Sequence, residues 1–89
     1  MSQFDESGVL SRVLDIIGRR LDIPPGAIDP NAAIVQDLGA DSLDILFIAG
    51  EIESRFDVKV PDAVIEAART PVEIAQRLLS HLQHGPEQK

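Results

Sequence analysis

The chain has 89 residues, no cysteine and a formal charge of −7, from 15 acidic and 8 basic side chains. This length predicts a single small domain over residues 1–89, and the acidic charge excludes nucleic acid as an expected partner and favours basic protein surfaces. The lack of cysteine excludes a disulfide framework and thiol chemistry of the chain's own. With no signal-peptide pattern and no apolar run of transmembrane length, we expect a cytoplasmic monomer that does not insert into membranes.

Hydrophobic periodicity predicts an all-α protein, a small bundle of three longer helices and one short helix. The first helix is expected at about residues 5–21, with acidic residues in its first turn and Arg19 and Arg20 in its last. Two prolines and a glycine at 24–26 end it. A long loop without a helical or strand pattern then leads to the second helix, at about 42–56. Long loops inside compact domains are commonly functional.

The second half of the chain predicts two further helices. A short one is expected at about residues 61–68, because Pro61 suits a first helical position. The last is expected at about 71–83, followed by a tail at 84–89. Its start is marked by Thr70-Pro71-Val72-Glu73, a capping box with proline at the first helical position.

The most informative stretch is Asp37-Leu38-Gly39-Ala40-Asp41-Ser42-Leu43-Asp44, which runs from the long loop into the second helix. Gly39 permits a turn that other residues resist. Asp41 is a good N-cap, and Asp44 three residues later predicts an imperfect capping box. Ser42 is therefore expected to be exposed on the first turn of the helix.

Neither serine hydrolysis nor a metal site is predicted. A nucleophilic serine needs a base within hydrogen-bond reach, yet the Gly-x-Ser-x-Gly elbow is absent and both histidines, His81 and His84, lie near the C-terminus. No cysteine or carboxylate pair completes a metal site with these histidines. Asp29 and Asn31 lack the glycine and glutamate of a calcium loop. We expect no catalytic residue and no bound metal.

The second helix has two apolar faces. The narrow stripe expected in the core consists of Ile45, Ile48, Ala49, Ile52 and Phe56. The opposite face consists of Leu43, Phe47, Gly50 and Ser54, with Leu46 on its flank. Three exposed hydrophobic side chains within two turns favour a docking patch over chance exposure. Acidic residues along the second and third helices suit either an ordinary solvated face or steering of basic partners.

Residues 37–44 resemble the attachment motif of acyl carrier proteins. The helix order, the long first loop, Phe56 and Val60-Pro61-Asp62 extend this resemblance from about Val9 to Leu82. It implies that Ser42, flanked by Asp41 and Leu43, carries 4′-phosphopantetheine donated by coenzyme A.

The function implied by the resemblance is that of a non-catalytic acyl carrier. Such a protein holds acyl intermediates as thioesters and delivers them to enzymes of fatty-acid, specialised lipid or polyketide-type synthesis. The implied partners are a phosphopantetheinyl transferase and acyl-loading and acyl-processing enzymes such as synthases and acyltransferases. Partner recognition is expected at Asp44, Leu46, Phe47, Glu53 and Asp62. The walls of an acyl pocket, which are also core residues, are expected to be Ile45, Ile48, Ala49, Ile52, Val60, Ala68 and Ile74.

The chain departs from the usual pattern of fatty-acid-synthesis carriers on its second and third helices. Phe47, Ala63 and Val64 stand where acids are usual, and Gly50 stands where a larger apolar residue is usual. We therefore predict a specialised carrier with a dedicated partner. The alternatives are an aminoacyl or peptidyl carrier of a non-ribosomal pathway, an unmodified carrier-like interaction module, and a general fatty-acid-synthesis carrier.

Overall fold

A computed structural model describes residues 5–60 and 62–84 of the chain. Within these ranges the α-helices are α1 (Glu6–Leu21), α2 (Ser42–Phe56), α3 (Asp62–Ala67) and α4 (Pro71–His84). The described residues form no strand, and the predicted all-α bundle of three longer helices and one short helix is confirmed. None of these helices has both the length and the apolar composition needed to cross a membrane.

The bounds of α2 match the prediction, and those of the other helices differ from it by single residues. α1 begins at Glu6 because Asp5 is its N-cap, with Asp5 Oδ1 accepting a hydrogen bond from the Gly8 N–H at 2.8 Å. α3 ends at Ala67, since the residues that follow turn into the Thr70 cap of α4. α4 continues through His84, one residue into the predicted tail. Pro61 and residues 85–89 lie outside the described residues.

The long loop between α1 and α2 is more ordered than its sequence pattern predicts. It contains a 3-10 helix at Pro25–Ala27. Further along, the Ile34 N–H donates to the Arg69 carbonyl at 2.9 Å, and the Val72 N–H donates to the Pro30 carbonyl at 3.0 Å. These bonds tie the loop to the connection between α3 and α4 and to the first turn of α4. The chain is thereby held in place as it approaches the start of α2.

α1 packs against both α2 and α4, and the side chains buried between them are apolar. Gly18 makes this packing possible at the end of α1. A β-carbon on Gly18 would clash with the carbonyl oxygen of Ile23, where the chain folds back over the helix end. The Ile23 N–H in turn donates to the Gly18 carbonyl at 2.9 Å. Glycine is needed here for a close approach of two backbone segments.

Candidate functional site

The first turn of α2 is closed by a complete capping box. Asp41 Oδ1 accepts a hydrogen bond from the Asp44 N–H at 2.9 Å, and Asp44 Oδ2 accepts one from the Asp41 N–H at 3.0 Å. Gly39, with φ of 81°, turns the loop into this cap, in a region that favours glycine. Two short-range signals in the sequence therefore set the position of Ser42, the first residue of α2.

Ser42 is exposed, and no other described residue hydrogen-bonds to its side chain. The leading N–H groups of a helix have no acceptor within the helix. Asp41 satisfies that of Asp44, which leaves those of Ser42 and Leu43 for another acceptor. Together with the positive end of the helix dipole, these groups favour a negatively charged substituent such as a phosphate ester. The site therefore fits a phosphopantetheine group on the serine oxygen.

Arg20 links the last turn of α1 to this first turn of α2. Its Nε donates to Asp44 Oδ1 at 2.7 Å, and its guanidinium carbon lies 4.3 Å from the centroid of the Phe47 ring. The hydrogen bond from the Asp41 N–H, followed by that from Arg20, holds the pKa of Asp44 below its ordinary value. One arginine thus orders both a capping carboxylate beside Ser42 and an exposed aromatic ring.

The sequence predicted Arg20 only as a charge suited to a helix C-terminus. Its contacts with Asp44 and Phe47 cross from one helix to another and leave no short-range pattern. The sequence feature that could have predicted these contacts is the spacing of Asp44 and Phe47, which are three residues apart on one side of α2. That spacing indicates that a single side chain from a neighbouring helix can reach both.

The residues predicted for partner recognition differ in their surroundings. Leu46 and Phe47 are each 50% exposed and adjoin Leu43, which is 63% exposed. Asp44 is bonded to Arg20, and Glu53 Oε2 accepts a hydrogen bond from the Val60 N–H at 2.7 Å. These two carboxylates therefore stabilise the fold itself. The Asp62 side chain lies outside what the structure describes.

A cavity of about 200 Å³ lies beside the first turn of α2. It is lined by Ala33, Ile34, Val35, Gln36, Ile45, Ile65, Ala68 and Arg69. Two of the predicted pocket residues, Ile45 and Ala68, are among them. The other predicted pocket residues are buried in the core and do not line it: Ile48, Ala49, Ile52, Val60 and Ile74.

Among the side chains that the structure describes, no three potential metal ligands converge. The candidate site consists of an exposed serine at the N-terminus of α2, the exposed apolar side chains of that helix and a small cavity beside it.

The sequence pattern of the phosphopantetheine attachment site family matches residues 11–78. The chain belongs to the acyl carrier protein family. It is 39% identical to an acyl carrier protein of Syntrophobacter fumaroxidans over 70 residues, which cover 79% of this chain and 86% of that one. It is 34% identical to an acyl carrier protein of Cyanidioschyzon merolae over 76 residues, covering 85% and 84% of the two chains.

The fold is also that of a known carrier. A crystal structure of a free-standing peptidyl carrier protein, from an uncharacterized secondary metabolic pathway of Acinetobacter baumannii, matches with a TM-score of 0.83. The match covers 89% of this chain and 98% of that chain, at 22% identity. The predictions of an acyl carrier and of a 4′-phosphopantetheine prosthetic group are confirmed. Members of this family are generally non-catalytic and act together with synthesis enzymes and a phosphopantetheinyl transferase.

Proposed function

We propose that Ser42 is the attachment point of 4′-phosphopantetheine and that the chain carries acyl groups without catalysing any reaction on them. The observation that supports this proposal is the exposed Ser42 hydroxyl at the capped start of α2, within the matched residues 11–78 and without a hydrogen bond to any other described residue. When bound, the arm supplies a terminal thiol for the cargo. The chain's own residues hold the serine at the surface and offer N–H groups to the phosphate.

Two of these residues act by positioning. Asp41 fixes the first turn by accepting the Asp44 N–H. Leu43 continues the helix, and its side chain is exposed to solvent and does not cover the serine. The acidic side chains near the serine would repel the negative charge of a phosphate. The ion pair of Arg20 with Asp44 reduces this repulsion.

The proposal is tested by intact mass spectrometry after incubation with coenzyme A, magnesium and a broad-specificity phosphopantetheinyl transferase. We expect one phosphopantetheine on the wild type and none on Ser42→Ala. The matched control is Ser54→Ala, which removes the hydroxyl of another exposed serine on α2 and should be modified like the wild type. Modification of Ser42→Ala, or no modification of folded wild type, would contradict the proposal.

The cavity beside Ile45 and Ala68 is the proposed shelter for the cargo. Its volume of about 200 Å³ is smaller than the roughly 300–1,000 Å³ of common small-molecule pockets. A short acyl group therefore suits it, whereas a longer one requires the neighbouring core residues to separate. The mass of the species loaded in cells distinguishes an acyl from an aminoacyl or peptidyl cargo.

A dedicated pathway partner, a cytoplasmic location and a monomeric state belong to the same proposal. Phe47 stands where carriers of fatty-acid synthesis usually have an acidic residue. This difference supports a dedicated partner, because it replaces charge with apolar surface near Ser42. Size-exclusion chromatography with light scattering tests the monomer. A dimer at micromolar concentration would contradict it.

A further inference from the structure

The cavity beside the first turn of α2 has an apolar interior and a polar rim. The interior is formed by four buried side chains, those of Ile34, Ile45, Ile65 and Ala68. The exposed residues that line the cavity stand at its rim and are Val35, Gln36 and Arg69. A group held in this cavity therefore meets apolar side chains with its inner part and a guanidinium and a carboxamide with its outer part.

The backbone of Arg69 is fixed, whereas its side chain is available to a ligand. The Arg69 N–H donates to Glu73 Oε1 at 2.7 Å, and the Arg69 carbonyl accepts the Ile34 N–H at 2.9 Å. No other described residue forms a hydrogen bond or an ion pair with its guanidinium. A guanidinium has five N–H donors and no acceptor. The rim thus contains a donor-rich group on an anchored backbone.

The position of the cavity relative to Ser42 decides which part of a cargo lies at the rim. Ile45 lines the cavity and is three residues from Ser42, or about 4.5 Å along the axis of α2. Since the arm is attached at the surface, a cargo enters the cavity with its far end first. Its far end then contacts the buried side chains, and the carbons nearest the thioester lie beside Gln36 and Arg69.

We propose that Arg69 is a specificity residue that binds an uncharged oxygen on the cargo carbons nearest the thioester. The chain accordingly prefers short acyl groups with such an oxygen over saturated ones of the same length. This inference rests on the proposed attachment at Ser42 and on the proposed shelter in the cavity. An oxygen on the third carbon and the thioester carbonyl are two neighbouring acceptors, which match the planar fork of a guanidinium. A saturated acyl group offers the carbonyl alone.

The charges near the cavity favour a carbonyl or hydroxyl oxygen over a carboxylate on the cargo. Asp37 Oδ2 accepts the N–H of Ala33, another residue that lines the cavity, at 2.9 Å. The whole chain carries −7. A carboxylate on the cargo would be repelled by this charge, whereas an uncharged acceptor would not. The preferred cargo class is therefore a short 3-oxoacyl or 3-hydroxyacyl group.

The test compares two cargoes of equal carbon number, hexanoyl and 3-oxohexanoyl, each attached to the arm through an amide in place of the thioester to prevent hydrolysis. Intact mass confirms loading, and differential scanning calorimetry measures the rise in Tm over the form that bears the arm alone. For wild type we expect the rise with 3-oxohexanoyl to exceed that with hexanoyl by roughly 2–8 °C, the effect of one hydrogen bond in a domain of this size.

The variant that tests the contact is Arg69→Met, in which the difference between the two cargoes should disappear. Methionine keeps a long unbranched side chain but has no donor. The fold should be retained, because the hydrogen bonds of Arg69 are made by its backbone. The matched control is Arg77→Met, which removes another exposed guanidinium, on α4 and away from the cavity lining.

A second measurement reports on the guanidinium directly. In protein with isotope-labelled arginine, the Nε–H signal of Arg69 is assigned by its absence from Arg69→Met. We expect this NMR signal to shift when 3-oxohexanoyl is loaded and to shift much less with hexanoyl. A residue that only stabilised the fold would give the same signal with both cargoes.

A difference between the cargoes that is lost in Arg69→Met and kept in Arg77→Met, together with the shift of the Arg69 signal, supports the inference. Equal rises in Tm for the two cargoes on wild type would overturn it, and so would a difference that persists in Arg69→Met. A shift caused by the arm alone, with no further change on loading 3-oxohexanoyl, would also overturn it. Wild type that accepts no phosphopantetheine contradicts the proposed function instead, and wild type that is stabilised by neither cargo contradicts the proposed shelter.

Discussion

Arg20 Nε lies 2.7 Å from Asp44 Oδ1, and this contact joins the end of α1 to the first turn of α2 beside Ser42. The two residues are 24 positions apart in sequence. Asp44 also accepts the Asp41 N–H through its second oxygen, so one carboxylate both caps α2 and anchors it to α1. The position of the serine thus depends on tertiary packing as well as on the local cap.

The first prediction concerns acid stability. The pKa of Asp44 is lowered in the folded chain, first by the Asp41 N–H and then by Arg20. A carboxyl group whose pKa is lower in the folded chain than in the unfolded chain stabilises the fold at pH values above its unfolded pKa, which is about 3.9. This stabilisation is lost as the pH falls through the pKa of the folded chain. We expect Asp44→Asn to be less stable than wild type at pH 7, with the difference shrinking below about pH 4. Urea unfolding from pH 7 to pH 2.5 measures it.

Two arginine variants show which contact matters in that experiment. Arg20→Gln should reduce the acid dependence only in part, because the bond from the Asp41 N–H remains. Arg19→Gln is the matched control, since Arg19 is highly exposed and, among the described residues, forms its ion pair with Asp15, at 3.5 Å, and not with Asp44. An acid profile of Asp44→Asn parallel to that of wild type would contradict the assignment.

The second prediction is that two glycine-to-alanine substitutions have opposite effects on stability. Gly18→Ala forces a β-carbon against the Ile23 carbonyl oxygen, which a rigid backbone cannot avoid, and should cost about 1–3 kcal/mol. Gly50→Ala enters open space and should add up to about 1 kcal/mol through helix propensity. Chemical denaturation of both variants measures the difference, and equal effects would contradict the packing at Gly18.

These residues show how far the sequence could predict the structure. The cap at Asp41 and Asp44 and the apolar stripe of α2 were predictable, because both depend on spacings of three and four residues within one helix. The contact of Gly18 with Ile23 was not, and the sequence indicated only a weakened last turn. The effect of that glycine depends on where the chain goes after the helix ends, which no periodic pattern encodes.

The same distinction applies to the candidate site. Ser42 was predicted from a contiguous motif, and the exposure of Leu46 and Phe47 followed from helical periodicity. The roles of Arg20 and Glu53 were missed, because each bonds to a group in another element of the fold. A charged residue looks the same in the sequence whether it faces water or a neighbouring backbone N–H.

The third prediction tests Glu53. Its Oε2 accepts the N–H of Val60, a buried residue in the connection from α2 to α3. Glu53→Ala leaves that N–H without its acceptor and should cost about 1–3 kcal/mol, whereas Glu53→Gln keeps an acceptor oxygen and should cost less. Thermal and urea unfolding measure both variants. Equal losses for the two would show that the charge, not the hydrogen bond, stabilises this connection.

The fourth prediction tests the cavity as a shelter for cargo. Each methylene group moved out of water contributes about 0.8 kcal/mol, so a hexanoyl group loaded on the arm should raise the Tm of the wild type by several degrees. Ala68 lines the cavity and is fully buried, so Ala68→Leu fills the space that the acyl group would occupy. We expect this variant to show little or no rise in Tm on loading. Differential scanning calorimetry of the loaded and unloaded forms measures the change.

The matched control for that experiment is Ala67→Leu, which adds the same atoms at the preceding residue. Ala67 is exposed and does not line the cavity, so the rise in Tm on loading should match that of wild type. A cargo held at the protein surface would raise the Tm equally in both variants, because neither substitution would then compete with it. An equal rise in Tm for both variants would therefore contradict binding of the cargo in the cavity. A smaller rise in Tm for Ala68→Leu alone would support binding beside Ile45 and Ala68.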